Sequence, residues 1–153
     1  MTITELLLPE FDQEMAGTRK ILERLPDDRL GWRPHEKSFT LGKLASHLAA
    51  IPVLATFIIT RQLAKPSESA TRAEVLAVFD QNVAGAREAI AGATDAHWTA
   101  TIEVSPGSTK TRITAVRSRV MNHMIHHRGQ LGVYLRLLDV ALVGMYGPSA
   151  DEK

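Results

Sequence analysis

The chain has no cysteine among its 153 residues. Disulfides, thiolate metal sites and cysteine nucleophiles are therefore excluded, and any thiol that takes part in chemistry must arrive on a second molecule. Charge of one sign is lacking too: 18 basic and 17 acidic residues leave a net charge of +1. That balance gives no electrostatic footprint for nucleic acid. Long apolar runs are scarce. The longest uncharged one, residues 48–60, is interrupted by Pro52. A membrane span needs about 20 such residues, so a buried helix is expected instead. Met1 to Phe11 has no basic stretch and carries Glu5 and Glu10, which does not read as a secretory signal. The expectation is a cytoplasmic protein with neither a membrane nor a nucleic-acid partner. Gly-rich phosphate loops, a Gly-x-Ser-x-Gly elbow and the paired Glu-x-x-His of di-iron bundles are all missing.

What is present is helical. One domain spanning residues 1–153 is the natural reading of this length. Thr2 and Glu5 form a capping box, and Leu7, Leu8, Phe11, Met15, Thr18, Leu22 and Leu25 trace one apolar stripe up to Pro26. Residues 26–39 read as a polar connection in which Trp32 and Phe39 are either core anchors or the rim of a pocket. Thr40 caps a second helix over 41–64, kinked at Pro52. After a linker at 65–69, a second capping box (Thr71, Glu74) opens a helix over 72–91 that Gly92 ends. Residues 93–113 are the least regular. Alternating β-branched residues and Pro106-Gly107 allow a small hairpin, but an irregular loop is the stronger expectation. His97 and Trp98 are read as structural. Thr114 caps a fourth helix over 115–138, and the tail 139–153 should be irregular. Lys110, Arg112, Arg117 and Arg119 read as a solvated helix start rather than a phosphate site.

The fourth helix carries the chemistry. His123 and His127 are four residues apart, and a helix of about 3.6 residues per turn stacks such a pair on one face. Both lie in the apolar stripe with Val116, Val120, Met124, Leu131, Tyr134, Leu135 and Leu138. His47 holds a stripe position on the second helix, between Leu44 and Leu48. Three buried neutral imidazoles without partners would each cost roughly 1–3 kcal/mol. One divalent metal satisfies all three acceptors together. The metal ligands expected are thus His47, His123 and His127, with open positions left for water or substrate, as in catalytic sites. Imidazole suits zinc, nickel, copper or iron, so ligand type does not name the metal. His126 lies about 60° off that face and is assigned to supporting contacts. Asn122 and Gln130 are candidates to orient ligands or to hold substrate. Arg128 is read as a surface salt bridge or a partner for a substrate carboxylate. The segment 123–127 lacks the glutamate of the zinc-peptidase motif.

The run His123 to Gln130 (His-Met-Ile-His-His-Arg-Gly-Gln), the segment Leu41 to Ala49 around His47, and the ending from Leu135 to Asp139 and Met145 to Glu152 resemble the DinB-like superfamily. This is the damage-inducible metal-binding family. The resemblance covers nearly the whole chain. It implies an all-α, four-helix bundle, up-down-down-up with a long crossover, and a homodimer. The family's metal ligands fall on His47, His123 and His127. Relatives include bacillithiol S-transferases and mycothiol-dependent isomerases, which use the metal, zinc or nickel being the expectation here, to activate a low-molecular-weight thiol. An additional domain of the kind carried by the mycothiol enzymes is not read in these 153 residues, so the mycothiol-dependent reading is the weaker of the two. The resemblance therefore implies a metal-dependent thiol S-transferase acting on a small-molecule substrate. A metal-dependent hydrolase and a non-catalytic dimeric metal-binding stress-response protein are the alternatives.

Overall fold

The structure is a computed structural model that describes residues 1–62 and 69–152. The linker expected at 65–69 falls almost wholly outside them. Helix α1 runs Ile3–Leu22, α2 Leu41–Ala50, α3 Val53–Thr60, α4 Arg72–Ala91 and the short α5 Asp95–Thr99. A hairpin follows, β1 Thr101–Ser105 and β2 Ser108–Thr111. The last helical stretch comprises α6 Arg112–Val116, a π-helical turn Arg117–Met121, and α7 Asn122–Leu137, which follow one another without a break. The protein is mostly helical.

Both capping boxes form. The Thr2 amide donates to Glu5 Oε2 at 2.7 Å, and the Glu5 amide donates to Thr2 Oγ1 at 3.1 Å. Thr71 and Glu74 repeat the arrangement at the start of α4. Thr40 caps α2 by accepting from the Lys43 amide. Each such cap satisfies helix-end amides that have no carbonyl of their own, which fixes where the helix begins.

The stripes read from the sequence become the core. Leu7, Phe11, Met15, Leu22, Leu41, Leu44, Leu48, Val75, Phe79, Ile90, Val120, Met124, Leu131 and Leu135 are all buried in one cluster. The packing arrangement is cyclic: α1 lies against α4 and α7, and α2 lies against the same two helices. Asn82 on α4 donates to the Ala49 carbonyl at 2.9 Å, pinning α4 to the end of α2. Leu41–Thr60 is apolar and long enough to cross a membrane by composition, yet half of its most apolar window is buried inside this bundle.

Several expectations need correction. The helix placed at 41–64 breaks at Ile51–Pro52 and ends at Thr60, where Arg61 turns left-handed (φ 63°). Proline has no amide hydrogen and crowds the preceding turn, so the regular hydrogen-bond ladder stops there and resumes in α3. The fold is not wholly α. Residues 101–111 form an antiparallel hairpin, with Thr101 opposite Thr111 and Ile102 opposite Lys110. Gly107 takes φ +74° after Pro106, as the third residue of a type II turn requires. Thr111, not Thr114, caps the last helix, by accepting from the Thr114 amide. The helix therefore starts one turn earlier than the expected residue 115.

Trp98 is fully buried and donates from its indole nitrogen to Thr4 Oγ1 at 2.8 Å. His97 bonds to the Ile59 carbonyl at 2.9 Å through Nε2. Both are structural, as expected, and they tie α5 to α1 and α3.

The candidate metal centre

Two helices deliver the three histidines. His47 sits in the second half of α2, ahead of the break at Pro52. His123 and His127 stack one turn apart on α7, which packs against α2. One ring nitrogen from each residue lies within 4.8 Å of the other two. His47 Nε2 is 3.2 Å from His123 Nε2, and His127 Nε2 is 2.9 Å from His123 Nε2. The rings are neither fully buried nor exposed.

The other edges of two rings are anchored. His123 Nδ1 donates to the Arg119 carbonyl at 3.3 Å. A carbonyl only accepts, so that nitrogen carries the proton. His127 Nδ1 donates to Gln130 Oε1 at 2.7 Å. In a neutral imidazole, a proton on Nδ1 leaves Nε2 as a bare lone pair. The 2.9 Å contact between the two Nε2 atoms then has lone pairs on both sides and no hydrogen between them. A cation placed between them would relieve that contact. Burial is the main cause that holds the His47 and His123 pKa values below the ordinary 6.5, with the neighbouring imidazoles adding to it. The environment thus works against the proton.

A divalent metal fits the same point. Zn–N bonds of about 2.0–2.1 Å put two ligand nitrogens about 3.3 Å apart in a tetrahedron and about 2.9 Å apart at a right angle. The observed 2.9 and 3.2 Å fall in that interval. The Nδ1 bonds to Arg119 and Gln130 are the outer contacts that usually fix a ligating histidine's tautomer and orientation. The donor set is three neutral imidazoles with no carboxylate among them. A cation held there keeps its full charge and favours an anionic fourth ligand.

An open hollow of about 400 Å³ adjoins the cluster, lined by Leu54, Ser118, Arg119, Asn122, His123 and His126. Leu54 comes from α3, beyond the break at Pro52, and Ser118 and Arg119 come from the π-helical turn. That turn widens the helix just before His123, with the Asn122 amide donating to Arg117 five residues back. Single π turns of this kind recur at functional sites. Nothing in the sequence pattern marks it.

The remaining candidates separate. His126 is exposed and stands edge-on to His127, with ring centroids 4.8 Å apart, outside the nitrogen cluster. Phe39 lies edge-on to His47 at 6.1 Å. It therefore belongs to the rim of the site, whereas Trp32 packs on Tyr134 at 5.7 Å. Arg128 is neither a surface salt bridge nor turned to substrate. It is 4% exposed, donates from Nη2 to Glu14 Oε2 at 2.6 Å and from Nη1 to the Glu14 carbonyl at 3.1 Å. Tyr146 from the tail joins them, donating to Glu14 at 2.8 Å. A Cβ at Gly17 would come within 3.1 Å of the Arg128 guanidinium, so glycine there leaves it room. A residue three places from the end of the His-rich run thus locks α1, α7 and the tail together.

A mostly helical protein that presents three convergent imidazoles beside an open hollow belongs to the class of bundle proteins compatible with metal binding. The comparisons narrow this. The DinB superfamily matches residues 10–131, and the chain belongs to that superfamily. Protein YrdA of Bacillus subtilis (strain 168) is 26% identical over 157 aligned positions, covering 95% of this chain and 89% of YrdA. A DinB-like protein of Bacillus cereus ATCC 10987 superposes with a TM-score of 0.82 at 24% identity, covering 95% of this chain and 98% of that one. A second DinB-like protein, YjoA of Bacillus subtilis, gives 0.76 at 17% identity, with 94% and 99% covered. At these identities the two structures speak for the fold.

Proposed function

We propose that the protein binds one divalent metal ion, zinc or nickel, through His47, His123 and His127, and that it is a thiol S-transferase acting on a small molecule. The observation that carries this is the convergence of three ring nitrogens, with His123 and His127 Nε2 2.9 Å apart and both Nδ1 atoms bonded elsewhere. A metal at such a site lowers the pKa of a coordinated thiol or water. Gln130 and the Arg119 carbonyl hold two rings in the ligating tautomer. Leu54 and Phe39 give apolar surface against which a substrate can lie. In the transfer, the thiol gives up its proton to solvent and a carbon–sulfur bond forms. The bond from that carbon to its leaving group breaks, and the leaving group departs with the electron pair.

Hydrolysis is the weaker reading, because among the described residues no carboxylate lines the hollow to serve as a base for water. The crossover 23–40 joins α1 to α2, which pack on common neighbours rather than chiefly on each other. An up-down-down-up path is part of the same proposal. Exposed Val133 and Leu137, four residues apart on α7, support a homodimer through that helix. The cytoplasm, where thiols stay reduced, suits the proposed reaction.

The test is a screen of metal-loaded protein against low-molecular-weight thiols and small electrophiles, following thiol consumption. Turnover that requires both thiol and metal supports the reading. Ester or amide cleavage without thiol would replace it with hydrolysis, and no thiol-dependent turnover would refute it.

A further inference from the structure

The hollow beside His123 contains positive charge and hydrogen-bond donors without any carboxylate among its lining residues. Arg119 supplies the charge. Arg117, two residues earlier, is taken up by Glu10 at 2.7 Å, and Arg128 by Glu14. Arg119 has no such ion pair among the described residues. The Asn122 side-chain amide, on the same wall, likewise makes no hydrogen bond among them. Ser118 is already spent on the Ala115 carbonyl. The unpaired donors facing this space are therefore Arg119 and Asn122, together with the exposed ring of His126.

Arg119 is also tied to the metal centre through its backbone. Its carbonyl accepts from His123 Nδ1, so the residue that carries the guanidinium also orients a ligand ring. The two residues stand about one helical turn apart, roughly 5–6 Å along the axis.

We propose that Arg119, assisted by Asn122, binds a carboxylate on the molecule that reaches the three histidines. The ligand of this protein is then a small carboxylated molecule with its metal-binding atom about one helical turn from the carboxylate. The inference rests on the reading that the three histidines hold a metal. Two features combine in it: a neutral donor set that leaves the metal's charge uncompensated, and Arg119, without an ion pair among the described residues and one helical turn before His123. A planar guanidinium suits a carboxylate through two parallel hydrogen bonds. A hollow of about 400 Å³ is of the size that takes small ligands.

The test uses the full chain loaded with cobalt(II) in place of the native metal. 3-Mercaptopropionate, which carries thiol and carboxylate, is compared with neutral 2-mercaptoethanol, following sulfur-to-cobalt charge-transfer absorbance. The wild type should bind the carboxylated thiol about tenfold more tightly. Arg119→Gln should abolish that preference without changing cobalt content, far-UV circular dichroism or the affinity for 2-mercaptoethanol, and Arg119→Lys should restore part of it. Equal affinity of the wild type for the two thiols overturns the inference and leaves the metal site standing. So does a preference that persists in Arg119→Gln, which would mean that the thiol chelates cobalt by itself. A chain that takes up no cobalt overturns the metal reading and this inference together.

Discussion

Arg128→Met is the sharpest probe of how the fold supports its site. Arg128 and Glu14 are 4% and 7% exposed, and their side chains meet at 2.6 Å. Methionine keeps the length and apolar stem of arginine but removes its charge and its donors. Glu14 then remains buried with the Tyr146 hydroxyl, at 2.8 Å, as its surviving side-chain donor. Removing one partner of a buried pair costs about 3–5 kcal/mol, because the other charge is left uncompensated. The Tyr146 bond places the expected loss near the lower end, about 3 kcal/mol. At 2–4 °C per kcal/mol for a chain of this size, Tm should fall by about 6–12 °C. Urea unfolding followed by circular dichroism should show a lower midpoint with an unchanged slope. The double variant Arg128→Met/Glu14→Leu should regain most of the loss, since no lone charge remains. Tyr146 is two-thirds exposed and can turn its hydroxyl to water. A single variant within about 1 kcal/mol of wild type, or a double variant no more stable than the single, would refute the reasoning.

Two further outcomes follow from the same geometry. Gln130→Ala removes the acceptor of His127 Nδ1 and should weaken metal affinity by about 10–100-fold, read by competition against a chelator, with little change in folding. In the metal-free protein, the folded-state pKa values of His47 and His123 lie below the ordinary 6.5. Just below that pH the unfolded chain binds more protons than the folded one. Stability should therefore be full above about pH 6.5 and decline as pH falls below it through the folded-state values. Thermal melts between about pH 7 and 5 should show that decline, and it should shrink in His47→Gln.

Much of this was visible in the residues. Thr2, Thr40 and Thr71 announced their helices because a cap is a local event between neighbours in sequence. The stripes announced the core because helical periodicity is imposed by one buried face. The histidine spacing announced the candidate site, and α7 does bring His123 and His127 to His47. What escaped were consequences of contact across the fold. The π-helical turn at 117–121 has no local signature in the residues that form it. The hairpin at 101–111 was underrated, because short strands owe their stability to pairing and not to propensity. Arg128 was placed at the surface because an arginine in a polar run usually lies there. Its burial becomes legible only once Glu14 is seen within the apolar stripe of α1, three residues after Phe11 and one before Met15.

On the proposed reading, three imidazoles from two helices share one cation. Elemental analysis of protein purified without a His-tag tests it directly, comparing wild type with His123→Ala of matched circular dichroism. The account predicts close to one divalent metal per wild-type chain and a near-complete loss in the variant. Metal-free wild type that takes up no added zinc or nickel, or a variant that retains its metal, would contradict it.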